Sequence, residues 1–234
     1  MFPSLETVAS VERLVAAGRQ PLESRSLHSE RPHGSSNLRR EQVLGTVSST
    51  IELPPRLLVG TQTTTDLEAA IRGGADIVEF AAGSSESDRV QLRELVELAA
   101  LRAPRTGVSV ALGELEDLLA TEVRPVLPKG IRWARLGLAG SRSRPKWHRD
   151  WQHVRAAIDA RTGRPLKWLA VAYSDAETAN CPKVGEVLDA AISTGCAGLF
   201  LETYDKSGGS IADTLTPCEL SRLMWMAREF HMPV

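Results

Sequence analysis

The feature that most constrains the fold is a regular alternation of short apolar runs with longer helical patterns, which begins near residue 53 and continues to the C-terminus. Strands that are buried on both faces of a sheet are nearly continuous apolar runs. Consecutive strands can pair in parallel only if a crossover, usually a helix, returns the chain to the same edge. The pattern therefore predicts an α/β fold with a parallel sheet.

Six strand–helix units follow one another, and a seventh strand begins at the end of the chain. The predicted strands cover residues 56–62, 76–82, 107–113, 133–140, 166–174, 197–203 and 232–234. The predicted helices cover residues 64–74, 88–103, 114–127, 147–162, 182–195 and 216–230.

Residues typical of helix ends support several of these boundaries. In the first helix, Thr65 is predicted to be the N-cap and Glu68 to complete a capping box. Gly73 or Gly74 is predicted to supply the left-handed exit from that helix. The last helix is predicted to start at Thr216, which a proline and a glutamate follow.

Two architectures accommodate repeated parallel units: a (β/α)8 barrel of the TIM type and an open doubly wound sheet. The doubly wound sheet usually carries a glycine-rich phosphate loop after its first strand, and residues 59–66, VGTQTTTD, contain neither a dinucleotide fingerprint nor a P-loop. We therefore expect the barrel. A complete barrel needs eight strands. With six to seven strands, this one is expected to be incomplete and cut short at its C-terminus.

Residues 1–52 differ in composition from the predicted barrel domain, residues 53–234. Residues 5–18 have the pattern of a short amphipathic helix, and residues 19–42 are polar, of mixed charge and rich in serine and arginine. Such a composition cannot bury enough apolar surface to order itself. Three interpretations remain open: a disordered extension, a partner-binding tail, and a start codon assigned too far upstream.

Composition excludes several classes of function. A net charge of -1 gives no sign of binding to nucleic acid or to an acidic membrane surface, and no apolar run approaches the ~20 residues of a membrane span. Cys181, Cys196 and Cys218 form neither a disulfide framework nor a zinc motif, so a reducing cytoplasm is the default expectation. No metal site is predicted, and a homo-oligomer remains an open expectation.

Catalytic side chains of a parallel barrel lie where strands end and the following loops begin. Glu79 in the second strand and Arg135 in the fourth are charges inside apolar runs, which cost free energy unless they are paired or functional. Asp175 follows the fifth strand and Lys206 follows the sixth, which itself ends at Glu202. We predict Glu79, Arg135, Asp175 and Lys206 as the catalytic set. A structural ion pair between Glu79 and Arg135 is the alternative.

Several segments resemble one enzyme family. They are RLLVGTQTTTDLEAAIRGGADIVEFAA, WARLGLAG, LAVAYSDA and GCAGLFLETYDKSGGSIADTL. Over residues 55 to 234 the chain is similar to (5-formylfuran-3-yl)methyl phosphate synthase of methanofuran biosynthesis, part of one-carbon metabolism. The resemblance implies a (β/α)8 lyase that condenses two molecules of glyceraldehyde 3-phosphate through a lysine Schiff base. It implies a small phosphorylated substrate as the partner, and no metal and no organic cofactor.

The sequence departs from the family pattern at the residues that carry this chemistry. Glu79 stands where the family has an aspartate, and Ala81 stands where it has the Schiff-base lysine. Arg135 replaces a lysine of the fourth strand, and a guanidinium is a poor proton shuttle. Asp175 and Lys206 match the pattern. An alanine cannot form an imine, so we expect weak or no Schiff-base activity.

Three classes of function remain open at this point. The first is the family synthase with altered residues, in which Lys206 is the one plausible substitute for the missing amine. The second is a catalytically silent homologue that binds a phosphorylated metabolite or a partner subunit. The third is a different barrel lyase or isomerase that uses Glu79 and Asp175 as acid and base. The basic loop 141–146, SRSRPK, would either bind phosphate or remain solvated.

Overall fold

The computed structural model describes residues 56–121 and 125–234. The predicted extension 1–52, with its short helix, lies outside the described residues. The strands are β1 (Leu58–Gly60), β2 (Ile77–Ala81), β3 (Gly107–Glu114), β4 (Trp133–Gly137), β5 (Lys167–Tyr173) and β6 (Gly198–Glu202). The helices are α1 (Thr64–Arg72), α2 (Glu86–Arg102), α3 (Leu115–Ala120), α4 (Trp147–Thr162), α5 (Val184–Ser193), α6 (Ile211–Thr214) and α7 (Pro217–Glu229).

The six strands form a single parallel sheet in chain order, from β1 to β6. This confirms the predicted incomplete barrel of the TIM type. The residues after α7 run beside β6, where the backbone N–H of Leu199 donates to the carbonyl of Pro233 at 2.8 Å. The predicted seventh strand is thus represented by this one backbone hydrogen bond, and residues 232–234 are not in strand conformation.

The core lies between one face of the sheet and the helices. Strand residues alternate in direction, so one set of side chains in each strand points to the helices and the other set to the barrel interior. Val78 and Phe80 of β2 and Val110 of β3 are almost fully buried on the helix side, where Leu67 and Trp151 contribute from α1 and α4. The opposite face of the sheet is therefore left to carry the polar side chains of the interior.

Two predicted helix boundaries were wrong. Thr63, not Thr65, is the N-cap of α1, and its box partner is Asp66, not Glu68. Three consecutive threonines precede Asp66, so sequence spacing alone did not decide which of them caps. The third helix was predicted over 114–127 but ends at Ala120. The left-handed exit after α1 lies at Gly74, where φ is +82°.

Candidate functional site

Glu79 is the buried carboxylate of the barrel interior. Its position in β2 places its side chain on the inner face, and only 5% of it is exposed. Ser109, its register partner in β3, donates a hydrogen bond from Oγ to Glu79 Oε1 at 3.0 Å. Arg135 Nε donates to Glu79 Oε2 at 2.8 Å. Both carboxylate oxygens are thus occupied, as the burial of a charge requires.

Arg135 joins Glu79 to a second carboxylate. Its Nη1 donates to Glu202 Oε1 at 2.8 Å, and its guanidinium lies 4.5 Å from the centre of the Phe200 ring. Burial by itself lowers the pKa of Arg135, but the charges of Glu79 and Glu202 outweigh this effect and leave the pKa raised. Arg135 therefore remains a fixed cation between two carboxylates and is not a proton donor.

Lys206 ends this series of contacts. Its Nζ lies 3.0 Å from Glu202 Oε2 and donates to the carbonyl of Thr203. The lysine side chain is 65% exposed, against 19% for Glu202. We refer to Glu79, Arg135, Glu202 and Lys206 as the ion-pair chain. It crosses the inner face from β2 to the loop after β6 with two positive and two negative groups.

Asp175 lies next to the ion-pair chain but is not part of it. Its Oδ1 accepts the backbone N–H of Tyr204 at 2.7 Å, and its Oδ2 accepts that of Asp205 at 2.9 Å. The carboxylate thus holds the backbone of the loop after β6. Three of the four sequence-predicted residues, Glu79, Arg135 and Lys206, lie in one connected set, and Asp175 holds the loop that carries Lys206.

A second carboxylate site lies beside the ion-pair chain. Tyr173 OH lies 2.6 Å from Glu114 Oε1, and the N–H of Ala139 donates to Glu114 Oε2 at 2.7 Å. Burial is the main cause that raises the pKa of Glu114, against the two hydrogen bonds, and burial followed by the charge of Glu114 raises the pKa of Tyr173. Gly137 makes room for the carboxylate, because a Cβ there would lie 2.2 Å from Glu114 Oε2.

Ala81 is exposed, on the same inner face as Glu79. It borders a cavity of about 440 Å³ at the ends of β1 and β2. The cavity lining is Thr61, Gln62, Thr63, Phe80, Ala81, Gly83, Asp88, Gln91, Leu92 and Leu95. The lining includes four residues of α2 together with Phe80, so the cavity lies on the helix side of the sheet and not on the inner face that Glu79 and Ala81 share.

The arginines of the basic loop 141–146 are already paired. Arg142 contacts Glu177, and Arg144 contacts Glu116 at 2.8 Å and Asp150 at 3.2 Å. The contacts join the loop after β4 to the first turns of α3 and α4 and, through Glu177, to the turn after β5. This arrangement agrees with a structural loop better than with a phosphate site.

Sequence reasoning left Glu202, Ser109 and the Glu114–Tyr173 pair outside the catalytic set. A signal existed for Glu202, because it is a charge at the last position of an apolar strand. For Ser109 no signal existed, since a serine in a strand is unremarkable until the neighbouring strand brings Glu79 to it.

Among residues 56–121 and 125–234, no group of three or more His, Cys, Asp or Glu is arranged to hold a metal ion. None of the helices in that same part of the chain is long and apolar enough to cross a membrane.

Comparison with known proteins identifies the family. The sequence model of 4-HFC-P synthase matches residues 57–234, which is most of the chain. The chain belongs to the 4-HFC-P synthase family. This is the family that the sequence resemblance indicated, and the match spans every element from β1 to α7.

Comparisons with curated proteins and with solved structures add no information on function. No curated protein matches the chain significantly. Among solved structures, the chain is similar to the chitinase domain of the spore coat protein CotE from Clostridium difficile, with a TM-score of 0.49 and 18% identity. The alignment covers 80% of this chain and 65% of that chain, so the present chain spans less than two thirds of its length.

Proposed function

We propose that this member of the 4-HFC-P synthase family binds a phosphorylated aldehyde of the triose phosphate class without forming an imine with it. The observation that carries the proposal is Ala81. The resemblance places the Schiff-base lysine of the family at this position, on the inner face two residues after Glu79. The carboxylate of that pair is present in this chain and the amine is absent.

Lys206 is a poor replacement for the missing amine. A lysine that attacks a carbonyl must be neutral, and such amines lie in desolvated pockets or beside other cations. Lys206 instead is mostly exposed and contacts the carboxylate of Glu202. The other lysines, at positions 129, 146, 167 and 183, lie outside the ion-pair chain.

Lys206 is better suited to contact the phosphate group. An ammonium has three N–H donors. Two of them face Glu202 and the carbonyl of Thr203, and the side chain is open to solvent. The third donor is therefore available to an anion at the barrel mouth, whereas Arg135 is already held by two carboxylates.

The test is calorimetric titration of the full chain with glyceraldehyde 3-phosphate, followed by borohydride reduction and mass spectrometry. We expect binding, no reduced lysine adduct and no furan aldehyde product. K206M is expected to weaken binding, and K146M, which changes a lysine at the start of α4, is the matched control and should not. Absence of binding by the wild-type chain would refute the proposal.

A second candidate function is the family condensation with Lys206 as the amine. It is favoured by the contact between Lys206 and Glu202, because a carboxylate 3.0 Å from the amine is placed to accept its proton. A borohydride-reducible adduct that forms on Lys206, with furan aldehyde production that K206M abolishes, would establish this function instead. The third class, with Glu79 and Asp175 as acid and base, has less support, because Arg135 and backbone N–H groups already hold those carboxylates.

A further inference from the structure

We propose that Asp175 is a positioning residue that acts on ligand binding through Lys206, by clamping the backbone of the loop after β6. The effect on binding rests on the proposed function, and the clamp itself does not. The two oxygens of Asp175 accept the N–H groups of two consecutive residues, Tyr204 and Asp205. Lys206 is the next residue along the chain.

The loop is held on both sides of Lys206. Before it, the Tyr204 ring packs edge-on against Tyr173 of β5, with ring centres 5.4 Å apart. After it, Asp205 Oδ1 accepts hydrogen bonds from the N–H of Ser207 at 2.9 Å and from Ser207 Oγ at 2.7 Å. The contacts after Lys206 stay within the loop. The attachment of this short segment to β5 therefore depends on Asp175 and on the Tyr173–Tyr204 ring contact.

Fixing the backbone matters because the lysine side chain is long. A free lysine loses conformational entropy when it is held in one arrangement. Here the clamp fixes the Cα of Lys206 so that Nζ reaches Glu202 and the carbonyl of Thr203 together. Without the clamp, the ammonium would sample positions away from the barrel mouth and would bind an anion there less often.

Asp175→Asn tests the clamp with almost no change in shape. An amide offers one acceptor oxygen and one NH2 group, so the variant loses one of the two hydrogen bonds and turns a donor toward a backbone N–H. Asp175→Ala removes both acceptor oxygens and places no donor against a backbone N–H. It is the second variant to measure if Asp175→Asn does not fold. Asp76→Asn is the matched control, because Asp76 also accepts a backbone N–H, that of Leu57 at 2.8 Å, next to β1.

The first readout needs no ligand. Lysines are acylated with an N-hydroxysuccinimide ester, and the rate at each lysine is followed by mass spectrometry. In Asp175→Asn we expect faster acylation of Lys206, by about threefold or more, with Lys146 unchanged. Asp76→Asn should leave the Lys206 rate at the wild-type value. An unchanged Lys206 rate in both Asp175 variants would overturn the proposal.

The second readout is a double-mutant cycle on the binding of glyceraldehyde 3-phosphate. Asp175→Asn should weaken binding by about threefold or more in the wild-type background and by nothing further in the Lys206→Met background. Equal weakening in both backgrounds would mean that Asp175 acts independently of Lys206, and would refute the proposal. If the wild-type chain binds no triose phosphate, the proposed function fails, and the acylation rates alone decide whether the clamp positions Lys206.

Discussion

Arg135→Met is the most informative perturbation of the ion-pair chain. Methionine keeps an unbranched apolar side chain but removes the guanidinium that contacts Glu79 and Glu202, each at 2.8 Å. Glu202 keeps Lys206 as a partner. Glu79, which is 5% exposed, keeps only the hydroxyl of Ser109. The variant therefore leaves a buried carboxylate without a cation.

Removing one partner of a buried ion pair destabilises proteins by about 3–5 kcal/mol. Arg135 is 20% exposed, so water already screens part of the interaction and the lower end of this range applies. We expect a loss of about 3 kcal/mol in the free energy of unfolding, including the contact with Phe200. For a domain of this size this corresponds to a fall of about 6–12 °C in Tm.

The measurement is urea unfolding at pH 7, followed by circular dichroism. Arg142→Met is the control, because Glu177, the partner of Arg142, is 76% exposed and surface pairs contribute little. The double variant Glu79→Gln with Arg135→Met should recover about half of the lost stability, since it removes the unpaired charge. If Arg135→Met is as stable as the wild type, or if the double variant recovers nothing, the ion pair does not stabilise the fold as argued.

Three further predictions follow from the described contacts. Folding raises the pKa of Glu114 above its ordinary value of 4.5. The stabilisation from the protonated form is therefore present below pH 4.5 and is lost as the pH rises through the raised pKa. In urea titrations, the free energy of unfolding of the wild type relative to Glu114→Gln should fall over that pH window. Gly137→Ala should lower the free energy of unfolding by about 1–3 kcal/mol, because its Cβ would overlap the Glu114 carboxylate. Gly185→Ala, where a Cβ meets nothing within 4 Å, should not destabilise the chain. Cys181 is buried with a pKa raised to about 11, so a thiol reagent at pH 8 should label exposed Cys218 first, and equal rates would contradict this burial.

Much of the fold could be predicted from the sequence because its signals are local. Apolar runs such as 76–82 and 166–174 identify β2 and β5 to within a residue at each end, and the predicted helix 147–162 has the observed bounds of α4. Predictions were less accurate where two local signals compete. Thr63 and Thr65 offer the same hydroxyl, and the choice between them depends on whether the carboxylate of Asp66 can reach back to the N–H of the cap residue.

The sequence by itself determined the parallel α/β class, the family and the strand ends at which charged side chains gather, and it predicted that Ala81 replaces the family lysine. It did so because apolar periodicity, helix-end residues and family motifs all depend on residues that are close together along the chain. Only the tertiary structure decided which charges meet. Arg135 contacts carboxylates 56 and 67 residues away, and Asp175 accepts hydrogen bonds from backbone N–H groups 29 and 30 residues away. These pairings depend on strand register and on the curvature of the sheet, which arise only when six separate strands pack together.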